Sequence, residues 1–271
     1  MAKSEKKKDG PIMETVKTVV YALLIAGAIR TLIFQPFWIP SGSMKSTLYI
    51  GDFLFVNKFA YGYSYASCPS MFGVDFCSFA KGSDERLFGS DPERGDVVVF
   101  KHPVLGSDYI KRLIGLPGDR IQMIDSLLYI NGEPVSITPA ADFIETYAPQ
   151  GPEGRSPSCS NRPAIDGACI KASYTEVLPN GVSHNILDIR ETHVDNTAEF
   201  IVPDGQFFFM GDNRDNSVDS RFSQTGPQRG VGFVPRENII GRADRIIFSS
   251  AGNSMFYFWT WRSDRFFKAV E

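Results

Sequence analysis

Histidine and cysteine are scarce in this chain of 271 residues, with three of the first and four of the second. His102, His184 and His193 stand outside every dense polar motif, which argues against a Ser–His–Asp triad. There is no C-x-x-C, so zinc-ribbon and thioredoxin-type chemistry are excluded by pattern. Charge of one sign is also lacking: 28 basic and 31 acidic side chains leave a net charge of −3. That balance carries no nucleic-acid footprint. Long apolar runs are absent except for one.

That one run covers residues 18–29, free of charge and flanked by Lys17 and Arg30. Extended to Phe34, it makes a spanning helix if both cations snorkel toward head groups. Lys3, Lys6, Lys7 and Lys8 precede it and would keep the N-terminus cytoplasmic. A cleavable secretory signal ending at Ala26-Gly27-Ala28 is a competing reading. A buried core helix fits poorly beside the lysine cluster. Anchor and signal alike put the rest of the chain outside the cytoplasm. All four cysteines lie in that exported part, as two close pairs, Cys68 with Cys77 and Cys159 with Cys169. Each pair suggests a local disulfide loop worth about 2.7 kcal/mol, four free thiols being the alternative.

Beyond the run, short β-branched and aromatic segments predict strands at 53–56, 97–100, 109–114, 200–202, 206–210 and 242–248. Residues 127–135 predict a hairpin turning at Asn131-Gly132. Residues 62–95 read as an irregular Gly-, Ser- and Phe-rich loop. Residues 140–198, rich in Pro, Gly, Asn and Ser, read as a loop-rich insertion with weak strand patterns. The tail, 255–268, mixes aromatics with Arg and Lys; an interfacial segment and a core-capping tail both fit.

Three constellations carry chemistry. Pro40-Ser41-Gly42-Ser43-Met44 follows the apolar run by a few residues; taken alone it is a Gly/Ser turn. In the second, Lys111 and Arg112 interrupt an apolar strand, and alternation puts Lys111 with Tyr109 and Leu113, Arg112 with Ile110 and Ile114. A cation among apolar neighbours is costly unless paired or neutral; the plain alternative is a solvated edge strand. The third runs from Gly211 to Arg221, where nearly every residue is charged, Asn or Ser. As a calcium loop it fails, since Arg214 and Arg221 oppose a cation and the EF-hand spacing is absent.

Together these residues resemble bacterial type I signal peptidases, the membrane-anchored branch of the serine–lysine proteases. Arg94-Gly-Asp-Val-Val-Val-Phe100, Gly230-Val-Gly-Phe-Val-Pro235 and Gly241-Arg-Ala243 extend the resemblance over roughly residues 30–250, in the family's order. It implies Ser43 as nucleophile and Lys111 as general base, a neutral amine taking the serine proton. It also implies an oxyanion hole from Ser41 and the Ser43 amide, and Ser217 orienting the lysine. Asp212 with Arg112, and Asp219 with Arg221, become supporting ion pairs. One departure stands out: the family usually has Pro where Ser46 stands, in the turn leaving the nucleophile.

The resemblance implies a substrate pocket lined by Phe37, Ile39, Pro40, Met44, Leu54, Val99, Tyr109 and Ile110. Its shallow walls would reject bulky side chains by overlap; in a non-enzyme the same residues would be ordinary core. The implied activity is removal of N-terminal signal peptides from exported preproteins, beside the export translocon and in contact with membrane lipid. No metal or organic cofactor is implied. The expected fold is mostly β with one N-terminal transmembrane helix, single-pass in the cell membrane, the catalytic part extracytoplasmic. Expected divisions are an N-terminus and anchor (1–35), catalytic core halves (36–124 and 203–250), an inserted non-catalytic domain (125–202) and an aromatic, basic tail (251–271). A dedicated pilin or conjugation maturation peptidase, a self-cleaving repressor and an inactive anchored binding protein are the alternatives. The repressor would need a DNA-binding module that the sequence lacks, and intact Ser43, Lys111 and Ser217 argue against inactivity.

Overall fold

The computed structural model describes residues 10–32, 34–67, 70–71, 74–75, 82, 86, 89–252 and 256–271. It opens with helix α1 (Pro11–Leu32), proline taking the first position, where no hydrogen bond is forfeited. Apolar side chains are exposed on more than one side of it, among them Val16, Val20, Leu23, Leu24 and Ile25. The expected membrane-spanning helix is present as a helix, but Glu14, Lys17 and Arg30 interrupt its apolar character. Among the described residues no helix is long and apolar enough to cross a membrane.

Strands follow: β1 (Phe34–Trp38), β2 (Asp52–Asn57), the short β3 (Ser70–Met71) and β4 (Val74–Asp75), β5 (Val97–Lys101) and β6 (Asp108–Gly115). The middle of the chain adds β7 (Arg120–Ile124), β8 (Leu127–Ile130), β9 (Glu133–Pro134), β10 (Ser136–Pro139) and β11 (Phe143–Thr146). Then come β12 (Ala168–Val177), β13 (Ser183–Asp188) and β14 (Phe200–Ile201). The last three are β15 (Gln206–Met210), β16 (Val234–Pro235) and β17 (Ile239–Ser249).

The principal sheet has seven strands in the order β1-β2-β17-β5-β6-β15-β16, every pair antiparallel. Strand β5 is a continuous apolar run because both of its faces are covered. Val97 and Val99 join one core cluster with Ile39, Met44 and Leu54; Val98 and Phe100 join another with Leu113 and Phe209. Strand β6 lies between β5 and β15. Lys111 and Arg112 are therefore interior, not the solvated cations of an edge strand.

Residues 120–201 build two smaller sheets. One has the order β14-β7-β8-β9, so β7, the last strand of the expected first core half, pairs with strands of the expected insertion. Its β8–β9 hairpin turns at Asn131 (φ 58°) and Gly132 (φ 85°), the positive pair a type I′ turn requires. In the other, β12 pairs with β10, β11 and β13. Ten residues of β12 correct the reading of 140–198 as weakly patterned. Its inward side chains are Cys169, Lys171, Ser173 and Glu176, mostly polar, so alternation was present without the apolar signal that reveals it. A disulfide joins Cys159 to Cys169, Cα atoms 5.2 Å apart. Cys68 and Cys77 lie outside the described residues.

Candidate active site

Ser43 sits in the turn that leaves β1 and leads to β2, and two backbone anchors hold that turn from the loop after β15. The Asn213 side-chain amide donates to the Gly42 carbonyl at 2.8 Å, and its backbone N–H donates to the Ser43 carbonyl at 3.1 Å. This close approach needs glycine at 211, where a Cβ would fall 2.6 Å from the Ser43 carbonyl oxygen and 2.3 Å from Ser217 Oγ. Asn213 and Gly211 were legible only as parts of a polar loop; their grip on the Ser43 turn was not.

Lys111, on β6, places Nζ 2.6 Å from Ser43 Oγ and donates to the Ile110 carbonyl at 2.9 Å. The lysine is 4% exposed and the serine 7%. Burial pushes the Lys111 amine down to about 8, although Asp219 and Asp212 pull upward. Desolvation penalises the charged form, and neither carboxylate lies close enough to repay it. A charged amine donates across the 2.6 Å contact; a neutral one accepts the serine proton there.

Both supporting ion pairs are buried. Arg112 donates to Asp212 through Nε at 2.9 Å and Nη2 at 2.8 Å. Arg221 grips Asp219 in the same forked way, at 2.9 Å on each oxygen. Burial alone would raise Asp212 and Asp219; Arg112 and Arg221 outweigh it and hold each below the usual carboxylate range. With Arg112 committed to Asp212, desolvation is what brings Lys111 down. The loop also reaches the insertion: Arg214 and His184 both face the buried Glu176, at 2.5 Å and 3.2 Å.

Two expectations meet a different geometry. The Ser217 hydroxyl is buried and does not make the expected bond to Lys111; it lies toward Asp219, where it helps hold that carboxylate ionised. The same hydroxyl lies against Gly211. Of the implied pocket residues, Ile39, Met44, Leu54, Val99 and Ile110 are closed into the first core cluster, none more than 5% exposed. Phe37 packs against that cluster and Tyr109 against a second, both half-buried. Pro40 lines the cleft beside the serine. Among the described residues the Ser43 hydroxyl meets Lys111 and no histidine; His102 is held by the Arg229 carbonyl.

Open space beside the serine is a cleft of about 570 Å³ between the Ser43 turn and residues 150–194. Pro40, Ser41, Ser43 and Ser217 line it from one side, Gln150, Ser158 and Arg190 from the other. Ser41 is exposed into it. Among the described residues, neither the Ser41 hydroxyl nor the Ser43 amide donates a hydrogen bond. Lys45 also lines the cleft; nothing in the sequence marked it, since a lysine in a turn reads as solvated.

Residues 12–248 match the family described as "Signal peptidase, peptidase S26". Signal peptidase I of Rickettsia typhi (strain ATCC VR-144 / Wilmington) is 39% identical over 259 residues, 92% of this chain and 85% of the relative. Signal peptidase I of Rickettsia canadensis (strain McKiel) is 40% identical over 242 residues, 86% and 79% of the two chains. The crystal structure of a signal peptidase I from Enterococcus faecalis V583 is 27% identical, covering 56% of this chain and 97% of its own. Its TM-score of 0.29 is too low to carry an argument about the fold.

Proposed function

The chain belongs to the peptidase S26 family of signal peptidases, and from that premise we propose that Ser43 and Lys111 are its catalytic pair. It is a serine endopeptidase that removes signal peptides from preproteins. The observation that carries the assignment is the 2.6 Å contact between Lys111 Nζ and Ser43 Oγ in a desolvated site.

Neutral Lys111 takes the Ser43 proton as Oγ attacks the scissile carbonyl, forming a tetrahedral oxyanion. Two unengaged donors, the Ser43 amide and the Ser41 hydroxyl, are free to receive it. Collapse leaves an acyl-enzyme, with the Lys111 ammonium returning the proton to the departing amine. Lys111 then deprotonates a water that hydrolyses the ester. Once Ser43 is acylated the lysine loses that partner and keeps the Ile110 carbonyl; the nearby Ser217 hydroxyl is the side chain that would join it in steadying the amine. The closed packing of Ile39, Met44 and Ile110 beside the nucleophile supports selection for small side chains at the cleaved bond.

Exposed apolar residues along α1 support a membrane anchor, since a helix apolar on several sides needs a cover. The N-terminus would be cytoplasmic and the catalytic part extracytoplasmic, beside the translocon. Exposed Trp38, Phe258 and Trp259 support contact with lipid. Core halves 36–124 and 203–250 would carry the chemistry, with the region between them as an accessory layer. Serine replacement tests the assignment. Ser43→Ala should abolish preprotein cleavage, whereas Ser41→Ala should slow it by roughly 10²–10³ as one oxyanion donor is lost. A dead Ser41→Ala beside an active Ser43→Ala would reverse the two roles.

A further inference from the structure

The insertion touches the nucleophile turn at a buried charge cluster that the reaction scheme leaves unused. Lys45, two residues past Ser43, is 4% exposed. Its stem runs against Gly42, where a Cβ would lie 3.3 Å from Lys45 Cε. Its ammonium donates to Glu145 Oε2 at 2.6 Å and to Gln150 Oε1 at 2.7 Å. Gln150 Nε2 also donates to Glu145 Oε2, at 2.8 Å, and Lys171 Nζ lies 2.6 Å from Oε1. Glu145 stands on β11 and Lys171 on β12, so one carboxylate joins the inserted sheet to the catalytic turn.

Burial alone would raise Glu145; Lys45 and Lys171 outweigh it and keep the carboxylate ionised. A buried ion pair returns little net stability against its desolvation. What this one supplies is geometry: with its tip fixed by Glu145 and Gln150, the Lys45 stem is held alongside Gly42, filling the space beside that backbone.

We propose that Lys45, gripped by Glu145 and Gln150, is a positioning residue that holds the Gly42–Ser43 backbone in register with Lys111. The proposal rests on the reading of Ser43 as nucleophile. It makes the insertion part of the catalytic apparatus: displacement of the Ser43 oxygen by an ångström is enough to slow attack about 100-fold.

Preprotein cleavage by the full chain, with kcat and KM separated across pH, tests it. Lys45→Ala should lower kcat by about 10- to 100-fold, with KM little changed and the inflection near pH 8 retained, because the surroundings of Lys111 are untouched. Lys45→Arg, which can reach both acceptors, should restore most of the rate. If the alanine variant does not fold, Lys45→Met, which keeps the apolar stem and drops the charge, should show the same kcat loss. An unchanged kcat, a raised KM at constant kcat, or a moved inflection would each overturn the proposal. Labelling of the wild type by a serine-directed acylating reagent separates the two readings. Label on Ser43 with unaffected Lys45 variants sinks only the positioning role, whereas a modified serine elsewhere sinks the nucleophile.

Discussion

Replacing Lys111 with Met should abolish cleavage and yet stabilise the folded protein at pH 7. Burial takes the amine from its ordinary 10.5 to about 8, which corresponds to about 3 kcal/mol of differential interaction. In the unfolded chain the lysine keeps its proton up to 10.5, whereas in the folded state it releases it near 8. Between those values the unfolded state binds more protons, so stability rises with pH across that window. Below it the penalty is constant and complete. Methionine removes the penalty and also the contacts to Ser43 and Ile110, each worth about 1 kcal/mol. The variant should therefore be more stable by about 1–2 kcal/mol at pH 7, and less stable by about the same amount above pH 10.5. Denaturant unfolding of both proteins from pH 7 to 10.5 reads the difference, in which every other titrating group cancels. The wild-type cleavage rate should climb about tenfold per pH unit below 8 and level off above it. A stability difference that does not move with pH, or a rate inflection near 10.5, would refute desolvation as the source of the neutral amine.

Two further outcomes follow from the fold. Peptide mapping without reduction should recover Cys159 linked to Cys169, and Cys159→Ser should cost about 2–3 kcal/mol, the loop-entropy value for so short a loop; two alkylatable thiols there would contradict it. Protein extracted from membranes should carry its N-terminal residues by intact mass, because α1 is proposed as a retained anchor; a soluble form beginning near Ile29 would make it a cleaved signal.

What the sequence made legible was whatever sits in a continuous motif or a regular alternation. The strand around Lys111 placed its two cations on opposite faces, whereas the pairing of Asp212 with Arg112 and of Asp219 with Arg221 was implied by the family resemblance alone. Pattern said nothing of which cation meets which partner across the sheet; that depends on β6 lying between β5 and β15. Strand β12 escaped notice because its inward face is Lys171, Ser173 and Glu176, and alternation is read by contrast between apolar and polar residues. Lys45 was hidden for a related reason. Its partner Glu145 is separated from it by 100 residues, within a stretch whose composition reads as loop. The implied pocket illustrates the converse limit: one set of apolar residues is a wall or a core depending on packing, and here most of it is core.

Cleavage of a preprotein by the purified protein, followed by N-terminal sequencing of the product, tests the Ser43–Lys111 assignment most directly when wild type and Lys111→Met are run side by side. Wild type should yield one new N-terminus, at the junction of signal peptide and mature chain, and the methionine variant should yield none while remaining folded. Equal cleavage by the two proteins would contradict the assignment, for it would take lysine out of the mechanism.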